Sequence, residues 1–477
     1  MSARSFDVIV VGAGPTGENV AGRTAQRGLA TCLVESELVG GECSFWACIP
    51  SKALLRPMQA LAAARSVDGA RDAVSGGVNV AATLARRDAF VSNWNDASAV
   101  PWLEDNGIAL LRGHGRLAGE RCVTVTGSDG DTTELAARDA VVICTGSRAM
   151  LPPIPGLAQA RPWTSRDATS ARQAPRRLAI LGGGVVACEM ATAWRSLGCE
   201  EVVVIQRGPR LLPAVEPFAG DAVRKGLEQQ GVRVLTGTTA TRVESLAAGL
   251  EIPLSNGETL AADRLLVATG REPRTDDLGL DTVGLAPGAW IDVDDSMRVE
   301  NVPGGWLYAA GDVNHRALLT HMGKYQGRIC GDAIVARAAG GNEARLPAPW
   351  TRFVASASRA AVPQVIFTEP EVAAVGLTEE QARGRGLAVR AVDYELGRVS
   401  GASLYADGYE GKARIVVDES RGVIVGMTLV GPSVGEMIHA ATIAVVGEVP
   451  LDRLWHAVPS FPTMSEVWLR LLETYGL

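Results

Sequence analysis

Two stretches of the chain show the same succession of apolar and polar positions. In each, a short apolar run leads into glycines, then into helical spacing, and then into a second apolar run. The first stretch reads FDVIVVGAGPTGENVAGRTAQRGLATCLVE from residue 6, and the second begins LAILGGGVVACE at residue 178. Short apolar runs bounded by glycines are typical of buried parallel strands, and their alternation with helices indicates βαβ units. We therefore predict an α/β fold with two Rossmann-like dinucleotide-binding domains.

The first glycine motif has the spacing that a dinucleotide requires. Gly12 would make the tight turn, Gly14 would let a pyrophosphate approach the backbone, and Gly17 would let helix and strand pack closely. The free N–H groups at the helix start would then face the phosphates. The next apolar run ends at Glu35, whose carboxylate can accept a hydrogen bond from an adenosine ribose.

The second motif differs from the first at the residue that follows its second strand. An arginine-rich segment stands where an acid would repel a 2′-phosphate, so this site favours NADPH over NADH. The alternative is that the arginines are only a solvated surface. The residues expected to bind NAD(P) here are Gly182, Gly184, Ala187, Gln206, Arg207 and Arg210.

Composition narrows the class of protein. A chain of 477 residues is long enough for two to four domains. The net charge of −7 argues against partners such as nucleic acid or an anionic membrane. No apolar run approaches the roughly 18 residues that span a bilayer. The apolar run that starts at Val8 leaves no room for a cleaved signal, so we expect a cytoplasmic protein.

The cysteine pair at the centre of GGECSFWACIPSK, residues 40–52, is the most unusual feature. Eight cysteines are present, and only Cys43 and Cys48 lie close together in sequence. In a reducing compartment a close pair is more often redox-active or metal-binding than structural. Zinc sites usually take C-x₂₋₄-C pairs and four ligands, and no second cluster follows. We therefore expect no metal site.

Several motifs together give the chain a family resemblance. The glycine motifs and the GGxCxxxxCxPSK segment occur with ICTGS at 143–147, VATGREP at 267–273, LYAAGDV at 307–313 and VIFTEPEVAAVGLT at 365–378. In these segments the chain resembles the FAD-dependent pyridine nucleotide–disulfide oxidoreductases. That family includes dihydrolipoamide dehydrogenase, glutathione reductase and mercuric reductase. The matches span residues 6 to 466, which is nearly the whole chain.

The resemblance implies an order of domains. Residues 1–150 would form the first part of an FAD-binding domain, 151–275 an NAD(P)-binding domain, and 276–345 a central segment that completes the FAD site. Residues 351–477 would form an α+β dimerisation domain of a homodimer. A stretch rich in Ala, Pro, Gly and Ser at 339–364 would be the linker into that last domain.

The resemblance also implies roles for single residues. Cys48 would face the flavin and Cys43 would exchange with substrate. Lys52 would lie by the reactive nitrogen of the flavin and pair with Glu189. FAD would be contacted by Asp312 and by the loops that carry Thr145, Gly146 and His321, whereas Gly270 belongs to an NAD(P) loop. On a regular helix, five residues rise about 7.5 Å, too far for a disulfide. The pair could therefore close only if the helix start is distorted, and Pro50 would help because it has no N–H.

The C-terminus departs from the family pattern. The family ends in HPTxSE, where the histidine is the acid–base for disulfide exchange and the glutamate orients it. Here PTMSE is intact and supplies Glu466, but the histidine position holds Phe461, which cannot transfer a proton. His456 could replace the histidine through a loop, or could be an ordinary surface or packing residue.

Further departures surround the cysteine pair. Glu42 stands where the family usually has Thr, and Phe45 and Trp46 replace smaller or more polar residues. These two aromatic residues would narrow access for large disulfides, stack a flat acceptor such as a quinone, or only fill core.

These features predict an FAD-dependent NAD(P)H oxidoreductase with a redox-active disulfide. Its cofactors would be FAD and NADPH or NADH, and its partner a small-molecule electron acceptor. Because Phe461 replaces the catalytic histidine, we expect the acceptor to be a quinone or a metal ion. One alternative is a true disulfide reductase with another proton donor. A redox-sensing flavoprotein without sustained turnover is another, which the presence of Cys43, Cys48, Lys52 and Glu189 disfavours.

Overall fold

The computed structural model describes residues 4–340 and 348–477. Its strands, numbered along the chain, are β1 (Arg4–Val11), β2 (Thr31–Glu35), β3 (Ala109–Arg112), β4 (His114–Leu117), β5 (Cys122–Thr126), β6 (Thr132–Ile143), β7 (Ser147–Ala149), β8 (Arg177–Leu181), β9 (Glu201–Gln206), β10 (Arg233–Thr236), β11 (Glu244–Leu246), β12 (Gly249–Pro253), β13 (Thr259–Ala262), β14 (Arg264–Val267), β15 (Arg271–Pro273), β16 (Leu307–Ala309), β17 (Gln364–Ile366), β18 (Glu371–Gly376), β19 (Val389–Glu395), β20 (Lys412–Asp418) and β21 (Val423–Gly431).

The helices are numbered in the same way. They are α1 (Pro15–Ala25), α2 (Gly41–Phe45), α3 (Cys48–Arg65), α4 (Val80–Phe90), α5 (Val100–Asp105), α6 (Ser165–Ser170), α7 (Val185–Ser196), α8 (Pro217–Gln229), α9 (Thr320–Ala338), α10 (Ala357–Ala360), α11 (Glu379–Gly384), α12 (Ser400–Tyr405), α13 (Ile438–Val446), α14 (Leu451–Leu454) and α15 (Val467–Tyr475).

The chain divides into two compact units, of which the first comprises residues 1–49, 88–148 and 271–359. Its sheet has the strand order β3-β2-β1-β6-β5-β4, and β16 pairs in parallel with the end of β6. The central strands are buried on both faces, as the apolar runs predict: Val8, Ile9 and Val10 are fully buried. Strand β16 joins this sheet from far along the chain, so three separate segments of sequence build one core.

The second unit comprises residues 50–87, 149–270 and 360–477. It contains a parallel sheet with the order β10-β9-β8-β14, which carries the second glycine motif, and a three-stranded antiparallel sheet, β11-β12-β13. The C-terminal part adds a five-stranded antiparallel sheet with the order β17-β18-β21-β20-β19. Strand β21 lies centrally and is buried along its whole length, whereas α13 and α15 pack over this sheet. An antiparallel sheet with helices packed on it is an α+β arrangement.

The predicted architecture, two dinucleotide-binding folds followed by a C-terminal α+β region, is confirmed. The domain boundaries at residues 150, 275 and 351 stay predictions. Part of the linker expected at 339–364 lies outside the described residues, and its later part contains the short helix α10. Among residues 4–340 and 348–477, no helix is both long and apolar enough to cross a membrane.

Candidate active site

The first glycine motif forms the predicted turn between β1 and α1. A methyl group at Gly12 would overlap the carbonyl oxygen of Cys144, and one at Gly17 would overlap the carbonyl oxygen of Gly12. By contrast, a methyl at Gly14 would meet no heavy atom within 4 Å, so the backbone at the start of α1 borders open space. This arrangement leaves room for a phosphate against the helix N-terminus.

Glu35 lies at the end of β2 and faces this turn. Its two carboxylate oxygens accept hydrogen bonds from the backbone N–H groups of Ala13 and Glu37, both at 2.7 Å. Burial raises the pKa of Glu35, and these hydrogen bonds act in the opposite direction. The carboxylate is therefore held beside the glycine turn, where the ribose of a bound dinucleotide is expected.

Thr16 is a residue of this site that the sequence analysis missed. Three glycines from later in the chain close around it, because methyl groups at Gly311, Gly323 or Gly327 would overlap its hydroxyl or its carbonyl oxygen. Gly323 and Gly327 lie four residues apart on α9, so their shared helix face was the signal in the sequence. The contact brings α9 against the start of α1.

Asp312 follows Gly311 and lies in the same unit. The Ser147 hydroxyl donates to Oδ2 of Asp312 at 2.6 Å, and the Arg271 guanidinium donates to the Ser147 hydroxyl at 2.6 Å. Burial raises the pKa of Asp312, while Ser147 and Arg271 lower it. An aspartate fixed by a hydroxyl and a cation suits an acceptor for hydroxyls of a ribityl chain.

The other residues expected at FAD also lie in the first unit. The Thr145 hydroxyl donates to the carbonyl oxygen of Arg274 at 2.9 Å, and the next residue, Gly146, has a positive φ of 71°. His321 lies in the first turn of α9, with an exposed side chain.

The second glycine motif repeats this geometry between β8 and α7. A methyl at Gly182 would overlap the carbonyl oxygen of Ala268, whereas one at Gly184 would meet no heavy atom within 4 Å. Ala187 is fully buried where the helix packs on its sheet. Gly270 has a positive φ of 149° at the end of a neighbouring loop, beyond β14.

The arginine segment after β9 is split between two environments. The Gln206 amide donates to the carbonyl oxygen of Arg210 at 3.2 Å, which closes the loop. Arg210 is half-buried and donates to the carbonyl oxygen of Pro213 at 3.3 Å, whereas Arg207 is exposed. Of the two arginines, Arg207 is the one turned to solvent.

The cysteines lie on two short helices rather than on one distorted helix. Helix α2 ends at Phe45, Trp46 leaves helical geometry with φ −137° and ψ −3°, and α3 starts at Cys48. The irregularity that the cysteine spacing requires is therefore present, but it lies at Trp46 rather than at Pro50. Pro50 lies in the first turn of α3, where no N–H is needed.

Both cysteines are thiols in this structure, and their sulfur atoms share a hydrogen bond. That bond and burial raise the pKa of the Cys43 thiol well above its usual range, while Thr320 and Lys324 lower it. The Thr320 hydroxyl lies 3.2 Å from Sγ of Cys48. Thr320, the first residue of α9, was not predicted, because 272 residues separate it from Cys48 in the sequence.

The predicted ion pair between Lys52 and Glu189 is present in the second unit, with Nζ 2.7 Å from Oε2. The Glu189 side chain is only 4% exposed, and its other oxygen accepts a hydrogen bond from the Phe367 N–H at 3.0 Å. Lys52 also lies over the Phe367 ring, 4.8 Å from its centroid. Glu189 thus fixes a cation one helical turn after Cys48 on α3.

The C-terminal segment exposes the side chain of residue 461 and buries that of Glu466. Phe461 is 74% exposed, and His456 is also exposed. Glu466 is buried, and its Oε1 forms an ion pair with Arg470 at 2.6 Å. Its Oε2 accepts no hydrogen bond from the described part of the chain. Arg470 was missed, although its i,i+4 spacing from Glu466 was visible in the sequence.

The residues beside the cysteines that differ from the family pattern also contact other parts of the chain. Glu42 lies 3.5 Å from the guanidinium of Arg274, a residue that the sequence analysis missed. Phe45 is buried and packs over Gly40, which favours the core-filling interpretation for this residue, whereas Trp46 is half-buried. Among the described residues, no three His, Cys, Asp or Glu side chains gather as metal ligands.

Comparison with known proteins identifies the family. A family model described as pyridine nucleotide-disulphide oxidoreductase matches residues 6–336. The model for the dimerisation domain of the same family matches residues 362–471, which supports the expected homodimer.

Curated relatives match over nearly the whole chain. A dihydrolipoyl dehydrogenase of Thermus scotoductus is 33% identical over 98% of this chain and 97% of its own length. Dihydrolipoyl dehydrogenase 3 of Pseudomonas aeruginosa is 34% identical over 97% and 96%. A mercuric reductase of Staphylococcus aureus is 29% identical over 97% of this chain and 81% of its own.

Solved structures share the fold. LpdA from Mycobacterium tuberculosis superposes with a TM-score of 0.84 at 23% identity and covers 100% of both chains. The Cu(II) complex of the flavoprotein disulfide reductase RclA from Escherichia coli gives a TM-score of 0.83 at 23% identity and covers 99% of both. The chain therefore belongs to the pyridine nucleotide-disulphide oxidoreductase family, as a flavoprotein oxidoreductase that uses FAD together with NADH or NADPH.

Proposed function

We propose that this enzyme transfers electrons from NAD(P)H to a quinone or a metal ion rather than to a disulfide substrate. The observation that carries the proposal is the state of the C-terminal segment. Phe461 stands in the histidine position, and Glu466, which would orient that histidine, is ion-paired with Arg470. Neither side chain can then exchange a proton with a departing thiol.

Disulfide exchange needs proton transfer by a positioned acid–base. Reduction of a quinone or a metal ion does not need an imidazole for this purpose. A positioned acid–base contributes typically 10²–10⁴-fold to such a step. The raised pKa of the Cys43 thiol makes this need greater, because the thiolate is the nucleophile and a protonated thiol attacks slowly. Without a base, Cys43 is a poor partner for lipoamide or glutathione disulfide.

The chemistry supplied by the bound cofactors would be hydride transfer from the nicotinamide and passage of the electron pair through the flavin to the acceptor. The chain's own residues would bind and orient them. The first glycine turn and Glu35 would hold the FAD phosphates and ribose, and Asp312 its ribityl hydroxyls. Glu189 would fix the Lys52 cation, and the Thr320 hydroxyl would steady the Cys48 sulfur.

We also propose the division of labour along the chain. Residues 1–150 and 276–345 would hold FAD, 151–275 would hold NAD(P), and 351–477 would form the homodimer. The exposed Arg207 supports a preference for NADPH, since a guanidinium pairs well with a 2′-phosphate. A reducing cytoplasm would keep the six scattered cysteines outside the Cys43–Cys48 pair as thiols.

A true disulfide reductase is the second candidate. It is favoured by the intact Cys43–Cys48 pair and by the relatives named dihydrolipoyl dehydrogenase at 33 and 34% identity. Such an enzyme would need a proton donor other than residue 461.

The deciding experiment measures NADPH and NADH oxidation by the purified holoenzyme with a benzoquinone, with Cu(II) and with lipoamide. Wild type is compared with Cys48→Ser and with Cys122→Ser, a matched control at an exposed cysteine. We expect fast quinone or Cu(II) reduction and little lipoamide turnover. If Cys48→Ser still reduces the quinone, the quinone accepts electrons at the flavin. If Cys48→Ser no longer reduces Cu(II), the metal ion accepts electrons at the thiols. Brisk lipoamide turnover that Cys48→Ser abolishes would establish the second candidate instead.

A further inference from the structure

The ion pair between Glu466 and Arg470 is built into the C-terminal helix. The two residues lie four positions apart, so their side chains share one face at the start of α15. The guanidinium of Arg470 lies 2.6 Å from Oε1 of Glu466 and 2.8 Å from Oε2 of Glu473. Arg470 thus bridges the two carboxylates on this face of the helix.

The turn that precedes this helix is also fixed. A methyl at Gly401 would overlap the backbone of Thr463, so α12 packs directly on the turn. The Thr463 hydroxyl donates to the carbonyl oxygen of Ser460 at 2.7 Å. The Glu466 side chain is 9% exposed, and its Oε2 is buried without a hydrogen bond from any described residue. An acceptor oxygen therefore exists in the turn, but its charge is already neutralised.

We propose that Arg470 is a specificity-determining residue, which holds Glu466 in an ion pair and so withholds from residue 461 the free carboxylate that an acid–base imidazole needs. This inference rests on the proposed function and deepens it. It means that the enzyme disfavours disulfide acceptors through two residues, Phe461 and Arg470, and not through the lost histidine alone.

The physical reason is electrostatic. A free carboxylate stabilises an imidazolium and fixes its tautomer, as in hydrolase triads. A carboxylate that already faces a guanidinium offers little net charge, and arginine stays protonated at every accessible pH. An imidazole placed at residue 461 would therefore be poorly oriented and too weak a base while Arg470 is present.

The test is a double-mutant cycle in the FAD-loaded dimer with lipoamide as the acceptor. The reaction is NADH + H⁺ + lipoamide → NAD⁺ + dihydrolipoamide, in which the S–S bond is reduced and each sulfur gains a proton. The variants are Phe461→His, Arg470→Gln and the double variant. We expect less than a 3-fold gain in kcat for Phe461→His, none for Arg470→Gln, and at least a 10-fold further gain when both are combined. Flavin content and dimer mass check that each variant folds.

Two comparisons separate this role from a structural one. Phe461→His combined with Arg470→Lys keeps the cation and should behave like Phe461→His alone. In the double variant with glutamine, the freed carboxylate should raise the pKa of the new imidazole, so the pH profile of kcat should shift upward. If Arg470→Gln does not fold, Arg470→Leu gives the same comparison.

Equal lipoamide rates and coincident pH profiles for Phe461→His and the double variant would overturn the proposal for Arg470. Rapid lipoamide turnover by the wild type would instead overturn the proposed function. Failure of the proposal for Arg470 would therefore be seen in the variants, and failure of the proposed function in the wild type.

Discussion

The Lys52 ammonium lies 2.7 Å from the carboxylate of Glu189, and both residues contact Phe367, one through its ring and the other through its N–H. This places a nearly buried carboxylate, 4% exposed, against a cation that is 35% exposed. The pair connects the helix of the cysteine motif to the helix of the second glycine motif within one unit.

Breaking this pair should destabilise the protein. In Lys52→Met the Glu189 carboxylate stays buried without its cation, a change that typically costs about 3 kcal/mol or more. We expect a clearly lower midpoint of thermal unfolding for the holo-protein. Lys225→Met is the control, because its ion pair with Glu410 is exposed and such pairs contribute at most about 1 kcal/mol. Equal midpoints for the two variants would contradict a stabilising role for the pair.

Closing the first glycine turn should prevent flavin binding. In Gly17→Ala the new methyl group would overlap the carbonyl oxygen of Gly12, so the turn that receives the phosphates must move. We expect the purified variant to carry less than about a tenth of the wild-type flavin, measured by absorbance, since a turn displaced from the pyrophosphate loses its close contact. Gly77→Ala, where a methyl meets nothing within 4 Å, is the control. A fully flavin-loaded Gly17→Ala protein would show that FAD is held elsewhere.

The Cys43 thiol should react slowly at neutral pH. Its pKa is raised by the hydrogen bond with Cys48 and by burial, so the thiolate fraction is small below the ordinary thiol range and increases only above it. We expect iodoacetamide to alkylate Cys43 of the reduced protein faster only at pH values above those at which alkylation of a free cysteine accelerates. The measurement is made by mass spectrometry in a Cys122→Ser background, which removes an exposed competitor. Fast labelling at pH 7 would mean that the thiolate is stabilised and that Cys43 needs no base.

Reversing the charge of Arg207 should change the choice of nicotinamide cofactor. An acid there would repel the 2′-phosphate of NADPH and leave NADH, which has no such group, largely unaffected. We expect Arg207→Glu to lower kcat/KM for NADPH by 10-fold or more relative to NADH in steady-state assays. Arg385→Glu, at another exposed arginine of the same unit, controls for net charge. An unchanged ratio would support the alternative that Arg207 is only solvated surface.

Much of the fold could be predicted because its signals are local. Each glycine motif, with the apolar runs on both sides of it, is recognised from residues within about 30 positions. The contact of Thr320 with Cys48 and that of Arg274 with Glu42 join residues more than 200 positions apart. A single sequence carries no periodic signal for such pairs.

The helix break between the cysteines shows a different limit. Helix rise and disulfide geometry correctly indicated that a regular helix could not bring Cys43 and Cys48 together. They did not show where the irregularity falls. It falls at Trp46, which no helix-breaking residue marks, and Pro50 occupies an ordinary first-turn position.

The pairing of β16 with β6 constrains how the protein can be synthesised. Leu307 and Tyr308 meet Val141 and Val142, so the apolar end of β6 leaves the ribosome more than 160 residues before its partner strand. During that interval an unpaired, hydrophobic strand edge is open to wrong partners. The end of β6 therefore stays without this partner until the last segment of the first unit has been synthesised. Any fragment that stops before residue 309 should inherit this exposed edge permanently.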